Sequence, residues 1–354
     1  MTLELRNVTK RVGSEIHIHE TDLRLEPGEF NVLLGATNAG KTSLIKMMSG
    51  LEVPTSGQVV VDGRDVTGMS PQRRNIALVH QFFVNYPHMN VYDNIASPLR
   101  VAGMAKDEIR RRVEEAAGIL QLGQMLERRP DELSGGQQQR CALARAIVKD
   151  ARAVFLDEPL ANLDYKLREE LRDQLPELFA GRGAVVVYAT SEPAEALLLG
   201  GQTALMHEGR ITQFGPTAGI YRTPANLISA EVFSDPPINI ASATKAGNEI
   251  RLDDEIAWTA SGKAAGLPDG AYTLAVRPGH VSPLPGGTET VRLTGEIRIT
   301  ELSGSESVAH FRLGARTWVS QASGVHPYRV GETRSFYLDT AHCFYFDADG
   351  RLLA

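Results

Sequence analysis

The chain has 354 residues, of which 42% are hydrophobic, and a formal net charge of −6 at pH 7. This length exceeds the usual size of one domain and the apolar content suffices for packed cores, so two domains are predicted. The acidic balance argues against general nucleic-acid binding, and two distant cysteines, Cys141 and Cys343, indicate no disulfide framework.

The first chemical motif in chain order is GATNAGKTS, from Gly35 to Ser43. It follows an apolar run that starts at Phe30 and opens a helix-like stretch, which is the context of a G-x-x-x-x-G-K-[ST] phosphate loop. In such a loop, backbone N–H groups and the helix N-terminus bind polyphosphate, Lys41 reaches the β- and γ-oxygens, and Thr42 binds Mg²⁺. The alternative is a glycine-rich structural turn. The predicted nucleotide-binding residues of this motif are Gly35, Ala36, Thr37, Asn38, Ala39, Gly40, Lys41, Thr42 and Ser43.

A second motif, AVFLDEP, runs from Ala153 to Pro159. Its apolar half reads as a buried strand that ends in two acids at the carboxyl edge of a sheet, where α/β folds bind ligands. We expect Asp157 to hold Mg²⁺ through water and Glu158 to polarise the attacking water. A strand simply capped by solvated acids is the alternative.

A third motif, LSGGQQQR, places Ser134, Gly135, Gly136 and Gln137 just before or at the start of a predicted helix, which makes a second anion-binding terminus. This stretch resembles the signature motif of ATP-binding cassette (ABC) ATPases, and the three motifs occur in the order of that family. The resemblance implies an α/β P-loop ATPase core with a helical subdomain at about 88–150, and the cofactors ATP and Mg²⁺. It also implies two cassettes packed head to tail, with each ATP between the phosphate loop of one and the signature of the other.

Two further positions match the family. Gln81, after the apolar run from Ile76 to Val79, matches the glutamine that reaches Mg²⁺ and the attacking water. The loop from Leu160 to Asp164 resembles the segment that crosses the dimer interface. The resemblance therefore implies the metal set Thr42, Gln81 and Asp157.

Two positions depart from the family pattern. Ser191 stands where importers of this kind carry a histidine that contacts the γ-phosphate, and loss of one such contact typically costs about 2.7–4 kcal/mol. Val12 stands where an aromatic residue usually stacks on adenine. We expect a slow or inactive pocket on this chain, and hence a second, non-identical cassette that completes the ATPase. The alternatives are an innocuous change, or a role for one of three other histidines in place of Ser191: His17, His19 or His207.

Beyond residue 233 the chain changes to short β-like runs separated by turns, which predicts a small antiparallel barrel. VRPGH at Val276–His280 and GEIRITELSGSES resemble the carboxy-terminal oligonucleotide-fold-like (TOBE-type) domain of sugar and glycerol-phosphate importer ATPases, although Gly279 replaces a family glutamate. The predicted domains are therefore an ABC nucleotide-binding domain at 1–233 and a β-barrel regulatory or dimerisation domain at 234–354.

No apolar run approaches the length of about 20 residues that crosses a bilayer, and no signal peptide is evident. We expect a peripheral protein at the cytoplasmic face of the inner membrane, docked on two permease subunits and served indirectly by an extracytoplasmic solute-binding protein. Exposed aromatics after Gln81, such as Phe82 and Tyr86, are candidates for that docking surface, with ordinary core packing as the alternative.

The expected function is hydrolysis of ATP to energise import of a sugar, polyol or glycerol-type solute, with this chain as the degenerate half of a heterodimer. A cassette that binds ATP without hydrolysing it is one alternative. A soluble cassette protein of translation or DNA repair is another, but the basic surfaces that it needs are missing from the sequence.

Overall fold

The computed structural model describes residues 1–161, 163–179, 181–253, 256–286 and 289–354. The chain divides into two compact units, Met1–Ile220 and Tyr221–Ala354. The domain boundary after residue 233 stays a prediction; by compactness alone the division comes earlier.

The first unit contains two sheets and most of the helices. Its strands are β1 (Leu3–Val12), β2 (Glu15–Leu25), β3 (Phe30–Leu34), β4 (Ser56–Val61), β5 (Arg64–Asp65), β6 (Ile76–Val79), β7 (Ala153–Asp157), β8 (Val185–Thr190), β9 (Gln202–His207) and β10 (Arg210–Pro216). Its helices are α1 (Lys41–Ser49), α2 (Pro71–Arg74), α3 (Val91–Val101), α4 (Lys106–Ile119), α5 (Gly135–Val148), α6 (Tyr165–Phe179), α7 (Pro193–Leu199) and α8 (Thr217–Arg222), the last of which crosses the division.

A six-stranded sheet with the order β10-β9-β3-β8-β7-β6 carries the predicted motifs. The five consecutive strands from β9 to β6 are parallel, and β10 pairs antiparallel with β9 at one edge. All residues of β3, β7 and β8 are buried, because both faces of a parallel sheet are covered. The carboxyl ends of these strands therefore meet at one edge, as the α/β prediction requires. A separate four-stranded sheet has the order β2-β1-β4-β5.

The predicted helical region contains α3, α4 and α5. Helix α3 starts at a capped terminus, since the Asn90 side chain accepts a hydrogen bond of 2.7 Å from the Asp93 N–H. Helix α4 buries Ile109, Val113 and Ala116 on one face, which is the spacing that predicts it from sequence.

The second unit is built almost entirely of antiparallel strands. They are β11 (Asn239–Ala246), β12 (Glu249–Leu252), β13 (Ile256–Thr259), β14 (Gly270–Val276), β15 (Val281–Ser282), β16 (Thr290–Leu302), β17 (Glu306–Leu313), β18 (Arg316–Ser323), β19 (Thr333–Asp339) and β20 (Phe344–Phe346). Two short helices accompany them, α9 (Leu227–Val232) and α10 (Gly262–Ala265).

These strands form two five-stranded sheets, β13-β12-β11-β14-β20 and β15-β19-β16-β17-β18. Their inner faces share one core, in which Leu274 of the first sheet and Trp318 and Phe336 of the second are fully buried. The predicted all-β, oligonucleotide-fold-like domain is thereby confirmed. Within the described residues, no helix is long and apolar enough to cross a membrane.

Candidate nucleotide-binding site

The phosphate loop joins β3 to α1 and turns sharply just before the helix. Gly40, the residue before α1, has φ 104°, and Asn38 has φ 68°, so two left-handed residues curl the backbone. The Lys41 ammonium donates to the carbonyls of Gly35 at 2.7 Å and of Ala36 at 3.0 Å. Lys41 is 5% exposed, and burial lowers its pKa while the neighbouring Glu158 opposes that shift. The Lys41 ammonium is thus buried and held by two carbonyls of its own loop.

Two glycines allow β9 and the β9–β10 turn to pack closely against the phosphate loop and its neighbours. A Cβ atom on Gly35 would lie 2.4 Å from the Met206 carbonyl oxygen, so only glycine allows β9 to come this close. Gly209, at φ 72°, donates its N–H to the Ala39 carbonyl at 3.0 Å, and a Cβ there would lie 2.3 Å from the His17 oxygen. The turn between β9 and β10 therefore fixes the position of the phosphate loop.

The predicted metal and catalytic residues come together at the carboxyl edge of the sheet. The Thr42 hydroxyl donates to Asp157 Oδ2 at 2.9 Å. Lys41 Nζ lies 3.5 Å from Glu158 Oε1, and the Gln81 amide donates to Glu158 Oε2 at 3.2 Å. Burial is the main cause that raises the pKa of Asp157.

This donor set fits Mg²⁺. Thr42, Gln81 and Asp157 offer hydroxyl, amide and carboxylate oxygens, the hard ligands that Mg²⁺ prefers beside substrate phosphates. When bound there with ATP, Mg²⁺ supplies neutralisation of charge on the β- and γ-phosphates. Glu158 lies next to this set with an amide and an ammonium on its two oxygens, which suits a carboxylate that orients a water molecule.

A cleft of about 510 Å³ lies above the loop. Eight of the predicted residues line it: Thr37, Asn38, Gly40, Lys41, Thr42, Ser43, Gln81 and Glu158. Five further residues complete the lining, of which the sequence indicated only His17, as an alternative to Ser191: Glu15, Ile16, His17, Glu208 and Gly209. These five belong to the β2 hairpin and the β9–β10 turn and carry no motif; only strand pairing brings them here. Gly35, Ala36 and Ala39 shape the loop without lining the cleft.

Val12 is 50% exposed and, among the described residues, is not part of the cleft lining. It pairs with Glu15 across the β1–β2 turn, so it lies one step away from the cleft. Ile16 and His17 are the lining residues on that side. Of the three histidines considered in place of Ser191, His17 is the one that lines the cleft.

Ser191 follows β8 at the same edge as the acids. The Glu158 N–H donates to the Ala189 carbonyl at 3.0 Å, and the Gly35 N–H donates to the Thr190 carbonyl at 3.3 Å. The next residue, Ser191, is exposed and lies where the chain leaves the sheet beside the phosphate loop. Among the described residues, Ser191 is not part of the cleft lining, and its contact with the γ-phosphate stays a prediction.

A buried polar network supports that turn. Glu195, on α7, accepts hydrogen bonds from the Tyr188 hydroxyl at 2.9 Å and the Thr190 hydroxyl at 2.6 Å. Thr190 Oγ1 in turn accepts from the Glu192 N–H at 3.0 Å. Burial raises the pKa of Glu195, which Arg168 partly opposes from 3.6 Å. No sequence motif indicated this role for Glu195.

The signature motif forms the N-terminus of α5. The Ser134 hydroxyl accepts from the Gln137 N–H at 3.4 Å, while the Gln137 side chain accepts from the Ser134 N–H at 2.9 Å. Ser134 and Gly135 are exposed, and Gly136 is partly so. Among the described residues of the phosphate-loop cleft, none comes from this motif, so the two anion-binding surfaces lie apart within one chain.

Helix α5 also reaches the catalytic edge. The Gln139 amide donates to the Pro159 carbonyl at 2.6 Å, directly after Glu158. In the interface loop predicted from Leu160 to Asp164, Leu160 is buried, and Asn162 lies outside the described residues.

Comparison with known proteins agrees with this geometry. The family model described as "ABC transporter" matches residues 18–161, and the model described as "TOBE domain" matches residues 274–346. The chain is 37% identical over 353 residues to the sn-glycerol-3-phosphate import ATP-binding protein UgpC of Pectobacterium atrosepticum, with 99% of this chain and 98% of the relative covered. The UgpC protein of Chromohalobacter salexigens is likewise 37% identical over 356 residues, covering 99% of this chain and 95% of the relative.

A solved dimer of the ATP-binding cassette MJ0796, in a post-hydrolysis state bound to ADP and Pi, matches with a TM-score of 0.56 and 28% identity. It covers 61% of this chain and 98% of that one. Since this chain combines a phosphate loop, its acids, a signature helix and a TOBE domain and aligns with such relatives over nearly their whole length, it belongs to the Mg²⁺-dependent ATPases of ABC importers, in the branch of the sugar and glycerol-phosphate transporters.

Proposed function

We propose that this chain is one of two unequal ATP-binding subunits of an importer for a glycerol-type solute, and that the ATP site on its own phosphate loop turns over slowly. One observation carries the proposal: the exposed Ser191 directly follows Thr190, whose carbonyl accepts from the Gly35 N–H, at the position where the family resemblance implies a histidine that contacts the γ-phosphate. A neutral, short hydroxyl cannot replace an imidazole there. Glu158, Gln81 and the signature residues are nevertheless all present.

Unequal subunits follow from this combination. A homodimer would repeat the same slow site twice. In a heterodimer, the exposed Ser134 surface of this chain would complete the ATP site on the phosphate loop of a partner cassette that carries all the catalytic residues, including the histidine. In that arrangement the partner's site performs most of the turnover and the site here contributes mainly ATP binding.

The solute class rests on similarity to relatives whose names specify sn-glycerol-3-phosphate import. A nucleotide-binding subunit does not contact the solute, so a glycerol, glycerol-phosphate, sugar or polyol solute fits this chain equally well in chemical terms.

The remaining partners follow from the same assignment. Two transmembrane permease subunits would seat the chain on the cytoplasmic face of the inner membrane, and an extracytoplasmic solute-binding protein would act indirectly. Phe82 is 76% exposed, Val84 63% and Tyr86 39%, and these apolar side chains after Gln81 suit a permease helix. Arg145 steadies the segment, with its guanidinium 4.3 Å from the centre of the Tyr86 ring.

The test is a comparison of two matched variants in the assembled transporter. Glu158→Gln here and the equivalent change in the partner cassette are each combined with wild-type membrane subunits, and transport-coupled ATP hydrolysis is measured. We expect the change here to leave most turnover and the partner's change to abolish it. Equal loss in both variants would show that Ser191 does not disable this site. Assembly of an active transporter from this cassette alone would refute the unequal pair.

A second candidate function is a cassette that binds ATP without hydrolysing it, favoured by the same Ser191. Single-turnover hydrolysis in the assembled complex distinguishes the two, because slow product formation at this site excludes a purely structural role.

A further inference from the structure

Two turns in the second unit bring a pair of histidines together. His280 ends the 3₁₀ turn Pro278–His280, where the chain passes from β14 in one sheet to β15 in the other. His342 ends the 3₁₀ turn Thr340–His342, where the chain returns from β19 to β20. Strand pairing holds both ends of the two turns in register, since β15 pairs with β19 and β14 pairs with β20. The two crossings between the sheets therefore lie side by side on a rigid frame.

The side chains on these turns are close and ordered. The imidazole rings of His280 and His342 are stacked, with centroids 4.1 Å apart and planes at 7°. His342 Nδ1 lies 2.8 Å from Asp339 Oδ2, and the other carboxylate oxygen of Asp339 accepts from the Ala341 N–H at 3.1 Å. One ligand atom from each of His280, Asp339 and His342 lies within 4.8 Å of the other two.

This chemistry is that of a metal centre. Two imidazoles and one carboxylate form a ligand set that suits Zn²⁺ and its neighbours in the first transition series, and three protein ligands leave one coordination position open. His342 Nδ1 and Asp339 Oδ2 are 2.8 Å apart, which is close enough for both atoms to bind one metal ion in place of the proton between them. Asp339 Oδ1 caps the 3₁₀ turn through the Ala341 N–H, so Oδ2 is the carboxylate oxygen that faces the imidazole of His342.

The cluster borders a cavity of about 380 Å³ within the second unit. Cys343, Phe344 and Tyr345 contribute to its wall, together with Glu289 and Lys263.

Arg277 also lines this cavity, but its charge is committed elsewhere. Its guanidinium stacks over the Tyr221 ring at 3.8 Å and donates to the carbonyls of Tyr221 and Phe233. Because Arg277 is engaged in these contacts, the cavity stays available to other groups. The open coordination position of a bound metal would face this cavity, which is large enough for a small ligand.

We propose that His280, Asp339 and His342 form a binding site for a divalent transition-metal ion of the Zn²⁺ class, with an open coordination position toward the cavity. The site lies within one unit and is independent of the function proposed above.

The test uses the full chain, stripped with a chelator and free of nucleotide, titrated with Zn²⁺ alone in a calorimeter. We expect one tight equivalent per chain. His342→Ala, at an exposed position whose change leaves the core intact, and Asp339→Asn each alter a ligand, so each should weaken that equivalent at least as much as the about 10- to 100-fold that loss of an outer-shell partner costs.

His326→Ala is the matched control, since His326 lies in the same unit and outside the cluster. It should bind like wild type. Co²⁺ provides a second readout, because a ligand-field absorption band should appear in wild type and in His326→Ala and be lost in His342→Ala. Absence of a tight equivalent in wild type, or its survival in His342→Ala, would overturn the proposal.

Discussion

The Gly35 N–H donates to the Thr190 carbonyl at 3.3 Å, which ties the first residue of the phosphate loop to the last residue of β8. Because Ser191 follows Thr190 directly, its backbone leaves the sheet next to the first residue of the phosphate loop. Since the sheet fixes the backbone at this position, the chemistry available here depends on which side chain stands at residue 191.

Ser191→His should raise ATP turnover at this site. An imidazole restores a donor toward the developing charge on the γ-phosphate, and one such donor is typically worth about 100- to 1000-fold in rate. The gain is measured as steady-state hydrolysis in the assembled complex whose partner site carries the glutamate-to-glutamine change. Ser191→Ala is the control and should match wild type; a large loss in that variant would mean that the hydroxyl already acts in catalysis.

Lys41→Met should weaken ATP binding while the fold is retained. The methionine fills the buried volume, but it cannot bond phosphate oxygens, and hydrogen bonds from a charged donor contribute about 1.5–3 kcal/mol. We expect a loss of about 10- to 150-fold in affinity for a fluorescent ATP analogue. Lys46→Met, on the same helix but paired with Glu52 at 3.2 Å, should bind normally. Equal weakening in both variants would contradict a specific role for Lys41.

Gly209→Ala should destabilise the first unit and loosen nucleotide binding together. The added Cβ meets the His17 oxygen and strains a residue at φ 72°, and the N–H bond to Ala39 would shift with it. Gly63 has a similar φ of 76° with open space around it, so Gly63→Ala carries the backbone cost alone, about 1–2 kcal/mol. Thermal unfolding with and without Mg²⁺ and ATP compares the two. A smaller effect at Gly209 than at Gly63 would sink this prediction.

Mg²⁺ affinity should fall on acidification at a higher pH than for an ordinary aspartate. Only the ionised Asp157 carboxylate binds the metal, and burial raises its pKa above the usual 3.8. The folding stability of the metal-free protein changes with pH in the opposite direction to its Mg²⁺ affinity. The folded state binds the Asp157 proton more tightly than the unfolded state does, so the contribution of Asp157 to the free energy of unfolding grows as pH falls.

Titration of Mg²⁺–ATP binding across acidic pH, in wild type and Asp157→Asn, checks this expectation. The asparagine variant should bind more weakly throughout and lose the Asp157 step in the profile. An identical pH profile in both proteins would assign the step to another group.

Phe82→Ala should impair assembly with the permease subunits without unfolding the cassette. The side chain is 76% exposed, so its removal costs little internal packing. Val101 is 91% exposed on α3, and Val101→Ala serves as the control for loss of a surface apolar group. Co-purification with membrane subunits is the readout; retention of Phe82→Ala at wild-type levels would remove this aromatic from the docking surface.

The sequence predicts those parts of the molecule in which function and local pattern coincide. Strand β3 reads as a continuous apolar run because the parallel sheet covers both of its faces. The motif residues Lys41 and Thr42 are found because phosphate binding needs fixed spacing along one loop. Asp157 was recognised for the same reason, since a buried strand delivers it directly to the sheet edge.

Other features of the fold and of the nucleotide site cannot be predicted from the sequence, for physical reasons. Strand β11 alternates buried and outer positions, but its buried residues include Ala241, Ala243 and Lys245, so the hydrophobic contrast is weak. Ile16 and Glu208 reach the nucleotide cleft only through strand pairing between distant segments. Glu195 stabilises the turn after β8 by accepting hydrogen bonds from two hydroxyls. A glutamate within a predicted helix gives no sequence signal of that role.

The position of β3 in its sheet has a consequence for synthesis of the chain. This strand precedes the phosphate loop, yet both of its neighbours, β8 and β9, lie more than a hundred residues later in the sequence. During translation the phosphate loop therefore lacks the strands and the Gly209 turn that hold it in place until β9 and residue 209 have been synthesised. We expect nascent chains that end before residue 209 to be unable to recruit ATP, so nucleotide cannot guide the early stages of folding.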